Sequence, residues 1–159
     1  MYKKFSFFVA TMCGVGYVPK APGTLGSLVT LPLVWLAWQW LGLYGVVGLA
    51  VTGYVLGLIA VREVLKHTKH DPGFVVVDEL AGQALAFVLV APYLDIWWVY
   101  VVGFLLFRFF DIFKVGPVKW ADTKLENENG VMLDDVFAGL FAAIDLWILV
   151  WVVRWFGWI

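Results

Sequence analysis

Charge is scarce in this chain. Asp, Glu, Lys and Arg make up 14% of its 159 residues, against 63% hydrophobic, and the mean hydropathy is +0.89. Soluble domains run at roughly 25% charged and roughly 45–50% apolar. A soluble core of this size cannot hide so much apolar surface, so the remainder must face lipid. Cysteine is nearly absent. Cys13 alone excludes an internal disulfide framework and any Cys-cluster metal site. No Cys-x₅-Arg loop surrounds it, so it reads as a packing residue rather than a nucleophile. Neither sign of charge dominates: the net charge of −1 removes any chain-wide bias towards nucleic acid. Histidine is limited to His67 and His70. Three residues apart, they could bind metal, but no acidic or thiolate partner stands at a diagnostic spacing, and a solvated loop is the simpler reading.

What the chain does contain is a series of uncharged runs. Residues 28–61 carry no charged side chain. That is too long for one span of about 20 residues and right for two short ones, with the turn at Leu41-Gly-Leu-Tyr-Gly45. Leu80 to Leu94 is the next run, ending around Ala91-Pro-Tyr93, and Asp95 marks a short loop. Ile96 to Phe107 follows and continues helically through Asp111. Val136 to Val153 is the last run, broken only by Asp145, which lies about 15 Å along the helix from Asp135 and faces another helix. The pattern predicts an all-α transmembrane bundle of about five spans, forming a single domain over residues 1–159. Phe5 to Val18, short and glycine-bearing, reads as an interfacial or re-entrant segment. Lys3-Lys4 followed by Phe5 to Ala10 mimics a signal peptide, but no cleavage site follows, and it reads as mature sequence. Trp97, Trp98, Tyr100, Trp155 and Trp158 fit an aromatic belt. Gly53-Tyr-Val-Leu-Gly57 is a GxxxG string that packs helices either within one chain or between copies, so a homo-oligomer stays open.

Lys and Arg placement orients the spans. Lys3, Lys4 and Lys20 precede the first span; Arg62, Lys66 and Lys69 follow the second; Lys114, Lys119 and Lys124 follow the fourth. The turns near Gly42 and Pro92 carry none. The N-terminus and both long loops are then cytoplasmic, as expected of a bacterial inner-membrane protein.

Four polar segments fall on that face: Lys20 to Ser27, Asp71 to Glu79, Arg108 to Lys114 with Pro117 beyond, and Gly130 to Asp135. Asp78-Glu79 and Asp134-Asp135 each open an apolar helix. Complementing the helix dipole is one explanation. Against it, each pair adjoins the lipid-embedded region, where ionised groups are costly and usually functional. The two segments also echo each other, Val77-Asp-Glu-Leu-Ala-Gly82 beside Leu133-Asp-Asp-Val-Phe-Ala-Gly139. Two acidic pairs brought together repel unless a cation lies between them, and hard oxygen ligands suit Mg²⁺. Arg108, Asp111 and Lys114, spaced by three, fall on one helical stripe. They are either a snorkelling span end with a paired aspartate or one metal ligand flanked by two phosphate contacts. In Pro22-Gly-Thr-Leu-Gly-Ser27, Thr24 or Ser27 either caps the helix, or the glycines let backbone N–H groups approach a phosphate.

Taken in order, Ala21 to Ser27, Asp71 to Glu79, Phe107 to Lys114, Pro117-Val-Lys-Trp-Ala-Asp122 and Gly130 to Gly139 resemble the phosphatidylglycerophosphatase A family over roughly residues 22–139. The resemblance implies Mg²⁺-dependent hydrolysis of phosphatidylglycerophosphate to phosphatidylglycerol and phosphate. It also implies that Asp78, Glu79, Asp111, Asp134 and Asp135 form the active site and share the metal. Arg108, Lys114 and Lys119 would then neutralise phosphate, and Thr24, Gly26 and Ser27 would orient it. Two departures touch loop geometry without removing a ligand: Val115-Gly-Pro117 where the family has further prolines, and Glu126-Asn-Glu-Asn-Gly130 where it is glycine-rich. The rival readings are a phosphatase of other lipid monoesters such as phosphatidic acid, a cation transporter, and a membrane scaffold. A transporter predicts acidic residues continuing through the bilayer, and only Asp145 lies within a span. A scaffold leaves five clustered carboxylates without a reason.

Overall fold

The computed structural model describes residues 2–68, 72–125 and 127–159. Lys69, His70, Asp71 and Glu126 lie outside the described residues. Among those described, the ordered elements are all helical: α1 (Tyr2–Ala10), α2 (Pro22–Leu65), α3 (Val77–Leu85), α4 (Trp97–Phe113), α5 (Pro117–Lys124) and α6 (Glu128–Trp155), with 3₁₀ turns at Val15–Tyr17 and Val88–Tyr93.

Helix α2 is in fact a hairpin. Pro22 occupies its first turn, where a missing N–H costs nothing. Gly42 interrupts it at φ 57°, ψ −141°, a conformation that glycine adopts without a Cβ clash. Beyond it the chain doubles back, so that a Cβ on Gly45 would collide with the Ala37 carbonyl. Val34 of the first arm shares a core cluster with Val46 and Ala50 of the second. The reversal falls at the turn expected from the sequence.

Helices α2 and α6 are long and apolar enough to cross a membrane. Large apolar side chains on both, among them Ile59, Val51 and Trp151, lie exposed, as they do in a membrane protein. The run from Leu80 to Leu94 is not one continuous helix. Helix α3 ends at Leu85, and a 3₁₀ turn containing Pro92 completes the run. Ala81, Ala84, Ala86, Phe87, Val90 and Ala91 are all buried. The reason is side-chain size: lipid gives little drive for helix association, and Ala and Gly let neighbouring backbones close in. So α3 becomes the enclosed centre of the bundle, packed against α2, α4 and α6.

Helix α6 also starts earlier than expected. The Asn127 side chain accepts from the amides of Asn129 and Gly130, an N-cap that begins the helix at Glu128. Asp134 and Asp135 therefore sit in its second turn, beyond the reach of a first-turn dipole effect. That explanation survives only for Asp78 and Glu79, which do open α3. Cys13 is exposed at the turn after α1, correcting its reading as a packing residue. Asp145 is exposed too, in a recess beside Val102 and Leu106 of α4.

The packing gathers the polar segments at one end. Gly26 lies against Val76, and Gly57 against Met132 and Val77, so both ends of α2 meet the start of α3 and the early turns of α6. Helix α4 runs the opposite way and delivers its C-terminal turn to the same level. At the other end, Arg154 donates to the Tyr93 hydroxyl at 2.7 Å.

Candidate metal and phosphate site

The two echoing sequence segments meet at a glycine crossing. A Cβ on Gly139 would run into the Gly82 carbonyl, and one on Gly82 into the Asp135 backbone carbonyl. With neither present, α3 and α6 touch backbone to backbone. Glu79 stands about one turn before Gly82, and Asp135 about one turn before Gly139, so the crossing sets these two carboxylates side by side. They are 7% and 4% exposed. Asp111, from the last turn of α4, completes the group: carboxylate oxygens of Glu79, Asp111 and Asp135 lie within 4.8 Å of one another.

Three carboxylates at that spacing repel by about 3 kcal/mol per pair, even at an effective dielectric constant of about 20. Arg108 answers part of this. Its Nη1 lies 2.6 Å from both oxygens of Glu79 and 2.9 Å from Asp111 Oδ2. One guanidinium cannot balance three carboxylates, and its buried Nε has no partner among the described residues. An all-oxygen donor set that keeps a negative excess suits a hard divalent cation such as Mg²⁺ better than a soft one. Glu79, Asp111 and Asp135 fit that role by position and chemistry.

The start of α2 closes the group from the side. Ser27 donates to Glu79 Oε2 at 2.7 Å and accepts from Arg108 at 3.3 Å. Gly23 passes so close to Glu79 Oε1 that a Cβ there would displace it. The capping alternative for this segment fails, because Ala21 is the N-cap and no side chain caps the helix. Ser27 and Gly26 belong to the site wall, whereas Thr24 is half-buried beside it without an engaged role.

Lys114 departs from the expected stripe. Helix α4 ends at Phe113, and Lys114 takes a left-handed conformation, φ 46°, ψ 58°, which costs a non-glycine residue roughly 1 kcal/mol. The turn aims its Nζ at two carboxylates, Asp134 Oδ2 and Asp122 Oδ1, each at 2.6 Å. Burial alone would lower its pKa, but the Asp134 charge and the hydrogen bonds to Asp122 and Asp134 raise it above the ordinary lysine value, and it stays an ammonium. The five carboxylates expected to share one site thus divide. Glu79, Asp111 and Asp135 form the group. Asp134 is drawn to Lys114. Asp78 accepts the Glu79 amide at 2.9 Å. Lys119 lies exposed on α5, outside the group. Asp122, to which the sequence assigns no role, closes the Lys114 cluster; Gln83, fully buried one turn beyond Glu79, has no partner among the described residues for either amide atom.

An apolar helical protein with a carboxylate group that could hold a hard cation, an arginine on that group and a lysine on the adjoining Asp134, has the side chains that phosphoryl chemistry uses. The family comparison makes the class specific. The model for phosphatidylglycerophosphatase A matches residues 8–150, and the chain belongs to that family; it is a phosphoric monoester hydrolase. The phosphatidylglycerophosphatase A of Escherichia coli K12 is 34% identical over 82% of this chain and 74% of its own length. The Haemophilus influenzae protein of the same name is 35% identical over 86% of each chain. A Bacteroides thetaiotaomicron protein provisionally named a phosphatidylinositol-3-phosphatase is 36% identical over 91% of this chain and 93% of its own. No solved structure matches the chain.

Proposed function

We propose that the protein is a Mg²⁺-dependent phosphatidylglycerophosphatase of phospholipid biosynthesis. It would lie multi-pass in a bacterial inner membrane with its site towards the cytoplasm. The observation that carries this reading is the Glu79–Asp111–Asp135 group, paired with Arg108 and adjoined through Asp134 by Lys114, at the one end of the bundle where the polar segments gather. The family names point to the lipid, and the lysine and arginine distribution points to the cytoplasmic side.

In this mechanism Glu79, Asp111 and Asp135 hold the metal. Bound there, Mg²⁺ supplies charge neutralisation at the phosphoryl oxygens and a more acidic water. Arg108, held at the group by Glu79 and Asp111, and Lys114, held by Asp134 and Asp122, would neutralise the phosphate charge. Ser27 keeps Glu79 and Arg108 in register. A carboxylate of the cluster takes the proton as water oxygen bonds to phosphorus. The bond from phosphorus to the glycerol oxygen breaks, that oxygen is protonated, and inorganic phosphate leaves. An aspartyl-phosphate route uses the same residues.

The Bacteroides relative favours a second reading, in which the phosphate is that of an inositol lipid. Purified protein offered phosphatidylglycerophosphate, phosphatidic acid and phosphatidylinositol 3-phosphate separates the two. The proposal expects kcat/KM at least about tenfold higher for phosphatidylglycerophosphate. Preference for either other lipid overturns the substrate assignment. Asp122 gives a further test. In Asp122→Asn, Lys114 loses one charge-assisted bond, so KM rises about tenfold with the Mg²⁺ requirement retained, and Asp122→Glu restores part of it. An unaltered KM in Asp122→Asn would contradict the role given to Lys114.

A further inference from the structure

We infer that the groove between the first arm of α2 and helix α4 holds an acyl chain of the substrate; this rests on the lipid-phosphatase reading above. The groove widens into a cavity of about 600 Å³, lined by Leu31, Pro32 and Trp35 on one wall and by Trp97, Tyr100 and Val101 on the other, with Leu94 and Asp95 at its far end.

Two helical stripes connect this cavity to the site. Ser27, Leu31 and Trp35 are spaced by four along α2. Trp97, Val101, Leu105 and Arg108 are spaced by four, four and three along α4. Residues at those spacings share one face of a helix. The stripes converge at the top, where Arg108 Nη1 meets Ser27 Oγ at 3.3 Å, and part around the cavity below. Trp35, Val101 and Leu105 are exposed on these stripes, so the groove is open along its side to the lipid phase. A diacyl phosphomonoester is charged at one end and apolar along the rest, and this surface runs in the same order from Arg108 as far as Asp95, which accepts from Trp38 and Gln39 at the far end.

Arg108 to Trp97 spans about 16 Å at 1.5 Å per residue, so a chain whose phosphate sits at Arg108 passes Leu105 and Val101 on its way towards the Trp35–Trp97 end of the groove.

A second apolar recess competes on size. It has about 480 Å³, is lined by Phe8, Met12, Val29, Leu56 and Leu80 among others, and lies between α1 and the α2 hairpin. Its α3 residues exclude it. At about 100° per residue, Val77 and Leu80 point nearly opposite to Gly82, which touches Asp135. Helix α3 therefore stands between that recess and the carboxylates.

The test compares phosphate release from dipalmitoyl and dihexanoyl phosphatidylglycerophosphate in detergent, for wild type, Val101→Trp, Leu31→Trp and, in the second recess, Thr52→Trp. Gel filtration checks folding, and the two groove variants attack opposite walls in case one fails to fold. The ratio of long-chain to short-chain kcat/KM should fall about tenfold in the groove variants and match wild type in Thr52→Trp. A wild-type ratio in both groove variants, or a fall confined to Thr52→Trp, overturns the inference. If folded wild type releases phosphate from neither lipid, it is the functional reading that fails.

Discussion

Asp135→Asn is expected to lower kcat/KM for phosphate release by at least about a hundredfold while leaving the protein as stable as wild type or more so. Residues behind a metal's direct ligands already cost 10- to 100-fold when changed, and a direct ligand costs no less. The stability half follows from the charges. Asp135 is buried beside Glu79 and Asp111, so its neutral isostere relieves repulsion without changing volume. Loss of activity with a retained or raised melting temperature is the mark of a residue kept for function at some expense to the fold. Asp134→Asn should be milder in activity and worse in stability, because it breaks the 2.6 Å pair with Lys114. The pair of variants is read by phosphate release at saturating Mg²⁺ and by thermal denaturation in detergent. If Asp134→Asn proved the more damaging to catalysis, the ligand set would have to be redrawn around Lys114.

Gly139→Val should cost most of the folded protein. The new side chain would enter the backbone of Gly82, and backbone cannot rotate aside as a side-chain tip can. Overpacking a tight contact costs about 1–3 kcal/mol and sometimes more. Each kcal/mol is worth roughly 2–4 °C in melting temperature for a chain of this size. Activity should fall further than stability, since separating α3 from α6 also separates Glu79 from Asp135. Gly48→Ala is the matched contrast. A Cβ there meets nothing within 4 Å, and alanine favours helix over glycine by about 1 kcal/mol, so its melting temperature should hold or rise. Equal losses in both variants would show that the crossing has no special place in the fold.

That crossing explains why so much of the site was legible in sequence. The echo of Asp78-Glu-Leu-Ala-Gly82 in Asp134-Asp-Val-Phe-Ala-Gly139 is the imprint of two helices that each present an acid one turn from a contact glycine. Arg108 and Asp111 could be read from helical spacing, because both lie within α4 and do pair. Lys114 could not. A three-residue stripe needs the helix to continue, whereas Lys114 itself is left-handed and its side chain is redirected. Asp122 was hidden for the same reason, since its approach to Lys114 depends on the turn at Val115-Gly116, whose glycine sits at φ 57°. Hydropathy locates the hairpin turn at Gly42 but does not show that the Leu80–Leu94 run is broken and enclosed, because it scores apolar content and not side-chain size. An Ala- and Gly-rich run reads as a span whether lipid or other helices surround it. Gln83 left no signal beyond being a lone polar residue in that run.

In the proposed mechanism this carboxylate group works by holding Mg²⁺ against a lipid phosphate. Phosphate release from phosphatidylglycerophosphate by purified protein in mild detergent, first stripped with EDTA and then titrated with Mg²⁺, tests it most directly. The account predicts no release from the stripped protein and full recovery on adding Mg²⁺. Release that continues undiminished in EDTA, or its absence at every Mg²⁺ concentration from folded protein, would contradict it.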